Sequence, residues 1–485
     1  MARGAFLFFA IIGLLVVSPG ARAKGPESLA HTVAALVRQA GLGDGVGIHV
    51  VRLHDGEELY RNRAERPRNP ASNQKLLTSA AALRRLGPAF RATTKVEGNI
   101  DNGHVAQLVI RPSGDPSLGY ARLAALAEAV HLRGVDTVDG ILIDDSYFDE
   151  QILPPAFEQQ PKEAAAFRAA ISAFAVNRNS YVVDLGPGPK VGGPGRVRVL
   201  AGDYVEVDNR TVTTAAGPPK PRIDDNLTED GHLAIVVSGA IPKQVHTLYY
   251  RRRVPDPKAY AASLLVRAMK KAGIVGTLSV EYGAVTEQQR LIADLPSAPL
   301  STLLYSMGKW SDNFTAEMLL KIMGAQAHRP GTSARGVTAV LEELRKLGVD
   351  SEGLVMVNGS GLFDGNQVAP RQLTETLVSV YRDPAIRAEY VAHLAVAGSD
   401  GTLKSRLEDL PRPRMVRAKT GTLRDVIALS GYVLGAPERS LAFSFLANGI
   451  AGKQTEARKL ADDIVRALAE YVVQPESNPA TPPGR

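Results

Sequence analysis

Ser72 and Lys75 stand three residues apart in the run Ser72-Asn73-Gln74-Lys75, a spacing that sets two side chains on one face of a helix. A serine hydroxyl attacks well only when a neighbour takes its proton, and by that spacing the Lys75 amine is the nearest candidate. Two further runs follow in order, Ser311-Asp312-Asn313 and Lys419-Thr420-Gly421-Thr422. Together the three supply a serine nucleophile, amines that can move protons, and an extended segment that can grip a carboxylate. A lysine at its ordinary pKa of about 10.4 is a useless base at neutral pH, so Lys75 needs a drop of about 2 to 3 units. Burial and the like charge of Lys419 are expected to supply it.

Taken singly, each residue has a plain structural alternative. Ser72 could be a helix N-cap, Lys75 and Lys419 solvated lysines, and Ser311 with Asn313 the cap of the following helix. The Ser-x-x-Lys string also recurs at Ser306 to Lys309, and one or two matches are expected by chance in roughly this length of chain. The ordered trio carries the reading. Asp115 before Pro116, Asp400 before Gly401, and Gly359 with Gly361 are weaker signals that turn chemistry also explains. The nine histidines show no metal-binding spacing, so no metal and no cofactor is expected.

The elements that must hold these residues can be read from the pattern. Pro70-Ala71-Ser72 opens a helix that runs through Leu76, Leu77, Ala80, Ala81 and Leu83 and stops at Gly87-Pro88, placing Ser72 in its first turn. There the free N–H groups and the positive end of the helix dipole favour a developing anion. Leu29 to Gly41 reads as a helix and residues 45–52 as a strand. From about Arg91 to Arg253 the texture becomes β-rich, with strand-like runs at Val105 to Ile110, Gly140 to Ile143, Val197 to Val205 and Leu233 to Val237 separated by Gly/Pro turns. Helical patterns return at Ala259 to Ala272, at Leu300 to Met323 as one run, at Thr338 to Leu347 and at Lys453 to Val472.

From Ser72 to Ser311 the chain runs 239 residues, against 108 from Ser311 to Lys419. The first interval is too long for one compact core, so residues 95–272 are expected to be a β-rich insertion, its inner part about 175–250. It would divide a catalytic domain into 24–94 and 273–473, and would shape access to the site without carrying chemistry. Residues 1–23 read as a cleavable secretory signal: Arg3, an apolar run from Ala5 to Val17, and a small-residue end at Ala21 to Ala23. The run is too short for a membrane span, which takes roughly 20 residues. The chain has no cysteine, hence neither disulfides nor a lipidated thiol. Loss of Arg3 and Arg22 with the signal lowers the net charge from +7 to +5. No dense basic cluster interleaved with aromatics suggests nucleic acid. The tail 474–485 is rich in Pro, Ser and Asn and reads as disordered. A soluble, exported, periplasmic protein without a stable membrane anchor is the expectation.

The sequence resembles the D-alanyl-D-alanine carboxypeptidase/endopeptidase family of class C low-molecular-mass penicillin-binding proteins. Beyond the trio, the resemblance rests on PASNQKLLTSAAALRRLG from Pro70, SGDPSL from Ser113, GILIDDSYFD from Gly140 and FRAAISAFAVNRNS from Phe167. It continues in APLSTLLYSMGKWSDNFTAEMLL from Ala298, NGSGL from Asn358 and AGSDGTLKSRL from Ala397, and so covers about residues 28–470. It implies an α/β (α+β) fold: a serine β-lactamase/penicillin-binding-protein transpeptidase-like catalytic domain, an antiparallel sheet between helices, interrupted by nested β-rich domains. It implies Ser72 as acyl-ester nucleophile, Lys75 as base, Ser311 as proton relay and Asn313 as ligand to the substrate backbone. Lys419, Thr420, Gly421 and Thr422 would bind the terminal carboxylate, with the oxyanion between the N–H groups of Ser72 and Thr422. The implied partners are peptidoglycan stem peptides and β-lactams as covalent inhibitors, with a homodimer left open. The chain departs from the family at Asn358-Gly-Ser-Gly-Leu-Phe363-Asp364, where Asp-Gly-Ser-Gly-Leu-Ser-Arg is usual. Two rival functions stay open at this stage: a serine β-lactamase, which in class A uses a glutamate between the second and third motifs, and a non-catalytic wall-binding relic.

Overall fold

The computed structural model describes residues 26–199, 201, 204–229, 231–287 and 289–474. The signal segment and nearly all of the polar tail lie outside these residues. The centre of the fold is a six-stranded antiparallel sheet in the order Ala395–Val396, Val416–Leu423, Val426–Val433, Leu441–Asn448, Val46–Arg52, Glu58–Asn62. Every residue of Val426–Val433 is buried, because helices cover both faces. Alternate side chains divide between two cores, as the pleat requires. Ile427, Leu429 and Val433 meet the helices Pro26–Ala40 and Gln454–Val473, while Ala428 and Tyr432 meet the core around the helix Gln74–Leu86.

A second sheet has five strands in the order Ser279–Tyr282, Thr137–Ile143, His104–Arg111, Thr93–Glu97, Leu291–Pro296. It holds a parallel crossover through the helix Tyr120–Leu132, which the strand-like reading of this region overlooked. Two three-stranded sheets follow within 180–253. The strands at 279–282 and 291–296 lie past the expected boundary at 272; they close the five-stranded sheet by pairing with 140–143 and 93–97, so that sheet reaches residue 296. The single strand expected from Val197 to Val205 is instead two, Arg196–Val199 and Val205–Thr214, in different sheets.

The most consequential difference is at the middle motif. The continuous helix expected from Leu300 to Met323 is two helices, Leu300–Lys309 and Asn313–Ala327. Ser311, with φ of 60°, makes the break. A left-handed serine costs about 1 to 2 kcal/mol, and periodicity cannot reveal it because the apolar spacing runs on through the interruption.

Candidate active site

Ser72 lies in a single 3-10 turn, Ala71–Asn73, that runs directly into the helix Gln74–Leu86. Ala71 before it has φ of 45°, and the Asn69 Oδ1 holds that turn by accepting the Ala71 N–H at 2.9 Å. The nucleophile therefore stands on a strained, fixed elbow with its hydroxyl at the wall of a cleft of about 730 Å³. Ser311, Asn313 and Thr422 line the same cleft. The structure thus brings all three motifs together.

Lys75 Nζ lies 3.0 Å from Ser72 Oγ, 2.7 Å from Asn313 Oδ1 and 2.6 Å from the Ser360 carbonyl. A neutral amine has two N–H donors and one lone pair. If both donors go to the two carbonyl oxygens, the lone pair is left facing the serine. Burial pushes the Lys75 pKa down to about 7, while the carboxylates of Glu317 and Asp312 pull it the other way. The expected help from the like charge of Lys419 runs in the opposite sense: burial first, then the Lys75 charge, hold Lys419 well below the ordinary lysine range. Lys419 Nζ donates to Ser311 Oγ at 2.9 Å and to the Thr420 carbonyl at 2.8 Å.

The strand Val416–Leu423 pairs along its whole length with Val426–Val433, but on its other side, among the described residues, pairing with residues 395–397 stops at Ala418. Residues 419–423 are thus an open edge beside the nucleophile, where an extended peptide can add as a further strand. Gly421 allows the approach: a Cβ there would sit 3.0 Å from both Ala71 Cβ and the Pro70 carbonyl. Asn73 ties the strand to the Ser72 helix, its amide nitrogen donating to the Lys419 carbonyl at 2.8 Å and its oxygen accepting from Ser430. Thr420 Oγ1 donates to Thr402 Oγ1 at 2.7 Å.

The loop 358–364 and the helix residue that fixes it take part in ways the sequence did not assign. Glu317, one turn beyond Asn313, is buried and accepts the N–H groups of Gly359 (3.1 Å) and Ser360 (2.7 Å), pinning the loop whose carbonyl orients Lys75. Burial raises its pKa, against the pull of those hydrogen bonds and of Lys75. Gly361 follows with φ of 74°, and a Cβ there would fall 1.8 Å from the Ala71 carbonyl. The Asn-Gly-Ser-Gly string was the available signal, since two glycines flanking one serine suit a close backbone approach. Asn358, where the family usually has Asp, donates to the Pro155 and Leu362 carbonyls (3.0 and 3.2 Å), which a carboxylate cannot do. Phe363 packs edge-on against Phe157, and Asp364 accepts from Asn69 at 2.9 Å.

The 95–272 region is closer to the chemistry than expected. The Phe167 carbonyl accepts the Asn313 amide at 3.0 Å, and Gln159, Gln160 and Phe167 line the cleft. The second Ser-x-x-Lys match does not form a pair: Lys309 is buried against Asp400 at 2.7 Å, and Ser306 accepts from Arg178 at 3.1 Å. Asp115 closes its own turn with Ser117 (2.7 Å) and binds Arg122 (2.6 Å), a structural role.

Known proteins give the same reading. Residues 29–471 match the D-Ala-D-Ala carboxypeptidase 3 (S13) family. The chain is 36% identical over 480 residues to the D-alanyl-D-alanine carboxypeptidase of Actinomadura sp. (strain R39), covering 94% of this chain and 88% of that protein. It is 25% identical over 433 residues to the D-alanyl-D-alanine carboxypeptidase DacB of Haemophilus influenzae, covering 88% and 90%. The crystal structure of penicillin binding protein 4 (dacB) from Haemophilus influenzae superposes with a TM-score of 0.76 at 25% identity, over 90% of this chain and 98% of that one. The same protein complexed with a β-lactam gives a TM-score of 0.73. The family match spans nearly all of the described residues, the Actinomadura relative is 36% identical along almost the whole chain, and the chain belongs to the D-Ala-D-Ala carboxypeptidase 3 (S13) family.

Proposed function

We propose that this chain is a serine D-alanyl-D-alanine carboxypeptidase that cleaves the terminal bond of peptidoglycan stem peptides through an acyl-enzyme on Ser72. The observation that carries the reading is the Lys75 amine, 3.0 Å from Ser72 Oγ with both carbonyl partners in place and its pKa near 7. In this mechanism Ser72 Oγ attacks the carbonyl carbon of the D-alanyl-D-alanine bond and its proton passes to Lys75. The oxyanion lies between the N–H groups of Ser72 and Thr422. Ser311 passes a proton to the leaving amine, the C–N bond breaks, and D-alanine departs. Water then hydrolyses the ester. Lys419, Thr420 and Thr422 along the open edge, with Gly421 giving the clearance, bind the substrate's terminal carboxylate, while Asn313 holds its backbone.

A class A β-lactamase needs a glutamate free to activate water. Between the second and third motifs, Glu317 is occupied by two loop N–H groups and Glu342 pairs with Arg85 at 3.1 Å. The carboxypeptidase reading is therefore preferred. The leader-like residues 1–23 support export to the periplasm, and among the described residues no helix is long and apolar enough to cross a membrane. The strand pairings support an insertion of about 93–296 between the two catalytic segments. Purified protein should release D-alanine from a D-alanyl-D-alanine peptide with a free carboxylate, and Ser72→Ala should not. Equal cleavage of the amidated peptide would remove the carboxylate-binding role of the Lys419 strand.

A further inference from the structure

A second cleft, of about 700 Å³, opens beside the strand Ser180–Gly186 and the start of the helix Tyr120–Leu132. Its floor is apolar, with Leu118, Val182, Val199 and Leu264, and three arginines stand around it: Arg178, Arg251 and Arg267. No acidic residue is among the described residues lining it. Arg251 is exposed and makes no ion pair among the described residues. The Tyr120 hydroxyl in the same wall is buried without a hydrogen-bond partner, a group a ligand could satisfy.

One of these arginines also reaches the active site. Arg178 donates to Ser306 Oγ at 3.1 Å and lies 3.5 Å from Asp312 Oδ2, in the middle of the Ser311–Asn313 run. It is presented by three consecutive non-glycine residues in the left-handed region, Asn177, Arg178 and Asn179, with φ of 53°, 59° and 47°. L residues avoid that conformation, and here side chains hold it. Asn177 accepts the Tyr120 N–H at 3.0 Å and donates to the Tyr260 hydroxyl at 2.9 Å, while Asn179 donates to the Ala170 carbonyl at 2.9 Å.

We propose that this cleft is a second binding site, for a short peptide bearing a free carboxylate, and that Arg178 links its occupancy to Asp312 in the Ser311–Asn313 run. Guanidinium forks pair with carboxylates, and the apolar floor suits peptide side chains. That such a peptide comes from the wall rests on the function proposed above; the site itself rests on the cleft. A ligand carboxylate would compete with Asp312 for Arg178.

The test uses the full chain, first acylated with a penicillin so that the catalytic cleft is filled, and titrated by calorimetry with L-alanyl-γ-D-glutamyl-L-lysine, which lacks the D-alanyl-D-alanine bond. Trp310, the single tryptophan, is 60% exposed and sits between Ser306 and Asp312, so its fluorescence reports the Arg178 contacts. Saturable binding with a change in Trp310 emission is expected. Arg251→Gln should weaken it about tenfold with an unchanged Tm, and Arg178→Gln should abolish the emission change. No saturable binding, or equal binding by Arg251→Gln and by the peptide with both carboxylates amidated, would overturn the proposal. If penicillin fails to acylate the chain, the proposed function falls, and the same titration on Ser72→Ala protein still decides the cleft.

Discussion

Lys75 is held by groups that leave its lone pair to the serine, and its titration sets the pH behaviour. The active form is the neutral amine, so acylation should rise with pH and reach half its plateau near the Lys75 pKa of about 7. Lys75→Met should lose roughly a hundredfold or more in acylation rate, the usual range for a missing general base. The same shift has a stability consequence. Between about pH 7 and the ordinary lysine value the unfolded chain binds more protons at this position than the folded one, so folding gains stability as pH rises. Wild-type stability relative to Lys75→Met should therefore climb from pH 7 to pH 10 in denaturant titrations; a flat difference would mean that Lys75 is not desolvated. Lys419 acts at the substrate end. Lys419→Ala should weaken transition-state binding by about 2 to 4 kcal/mol, read as a fall in kcat/KM for the free-acid peptide with little change for its amide.

Three elements converge on the serine: the elbow before Gln74–Leu86, the break between Leu300–Lys309 and Asn313–Ala327, and the strand Val416–Leu423. A fourth, the loop 358–361, is fixed by Glu317. Glu317→Gln replaces an acceptor oxygen with an NH₂ that faces an N–H donor. It should cost about 1 to 3 kcal/mol of stability and slow acylation, because Ser360 no longer orients Lys75. Unchanged acylation in this variant would show that the loop is only a lining. The three motifs were legible because their chemistry is local in sequence. What joins them was not: Glu317 reads as one more helix residue, Ser360 acts through its backbone carbonyl, and the left-handed Ser311 is hidden inside an unbroken apolar period. The helix Tyr120–Leu132 was overlooked because β-branched runs on both sides dominate its surroundings.

Across the molecule, the six-stranded sheet and its two helical layers are built from segments on either side, in sequence, of the region about 93–296. That this region was long could be read from the 239 residues separating Ser72 from Ser311. Its contact with the site could not, since the Phe167 carbonyl and Arg178 reach the Ser311–Asn313 run only through tertiary packing. The proposed activity depends on covalent attack by Ser72, and intact-mass measurement of the purified protein with a penicillin tests that attack most directly. One adduct per chain is predicted for wild type and none for Ser72→Ala, with the adduct outlasting many peptide turnovers because Glu317 and Glu342 are both engaged. An unlabelled, folded wild-type protein, or an adduct that disappears rapidly with multiple-turnover penicillin hydrolysis, would contradict it.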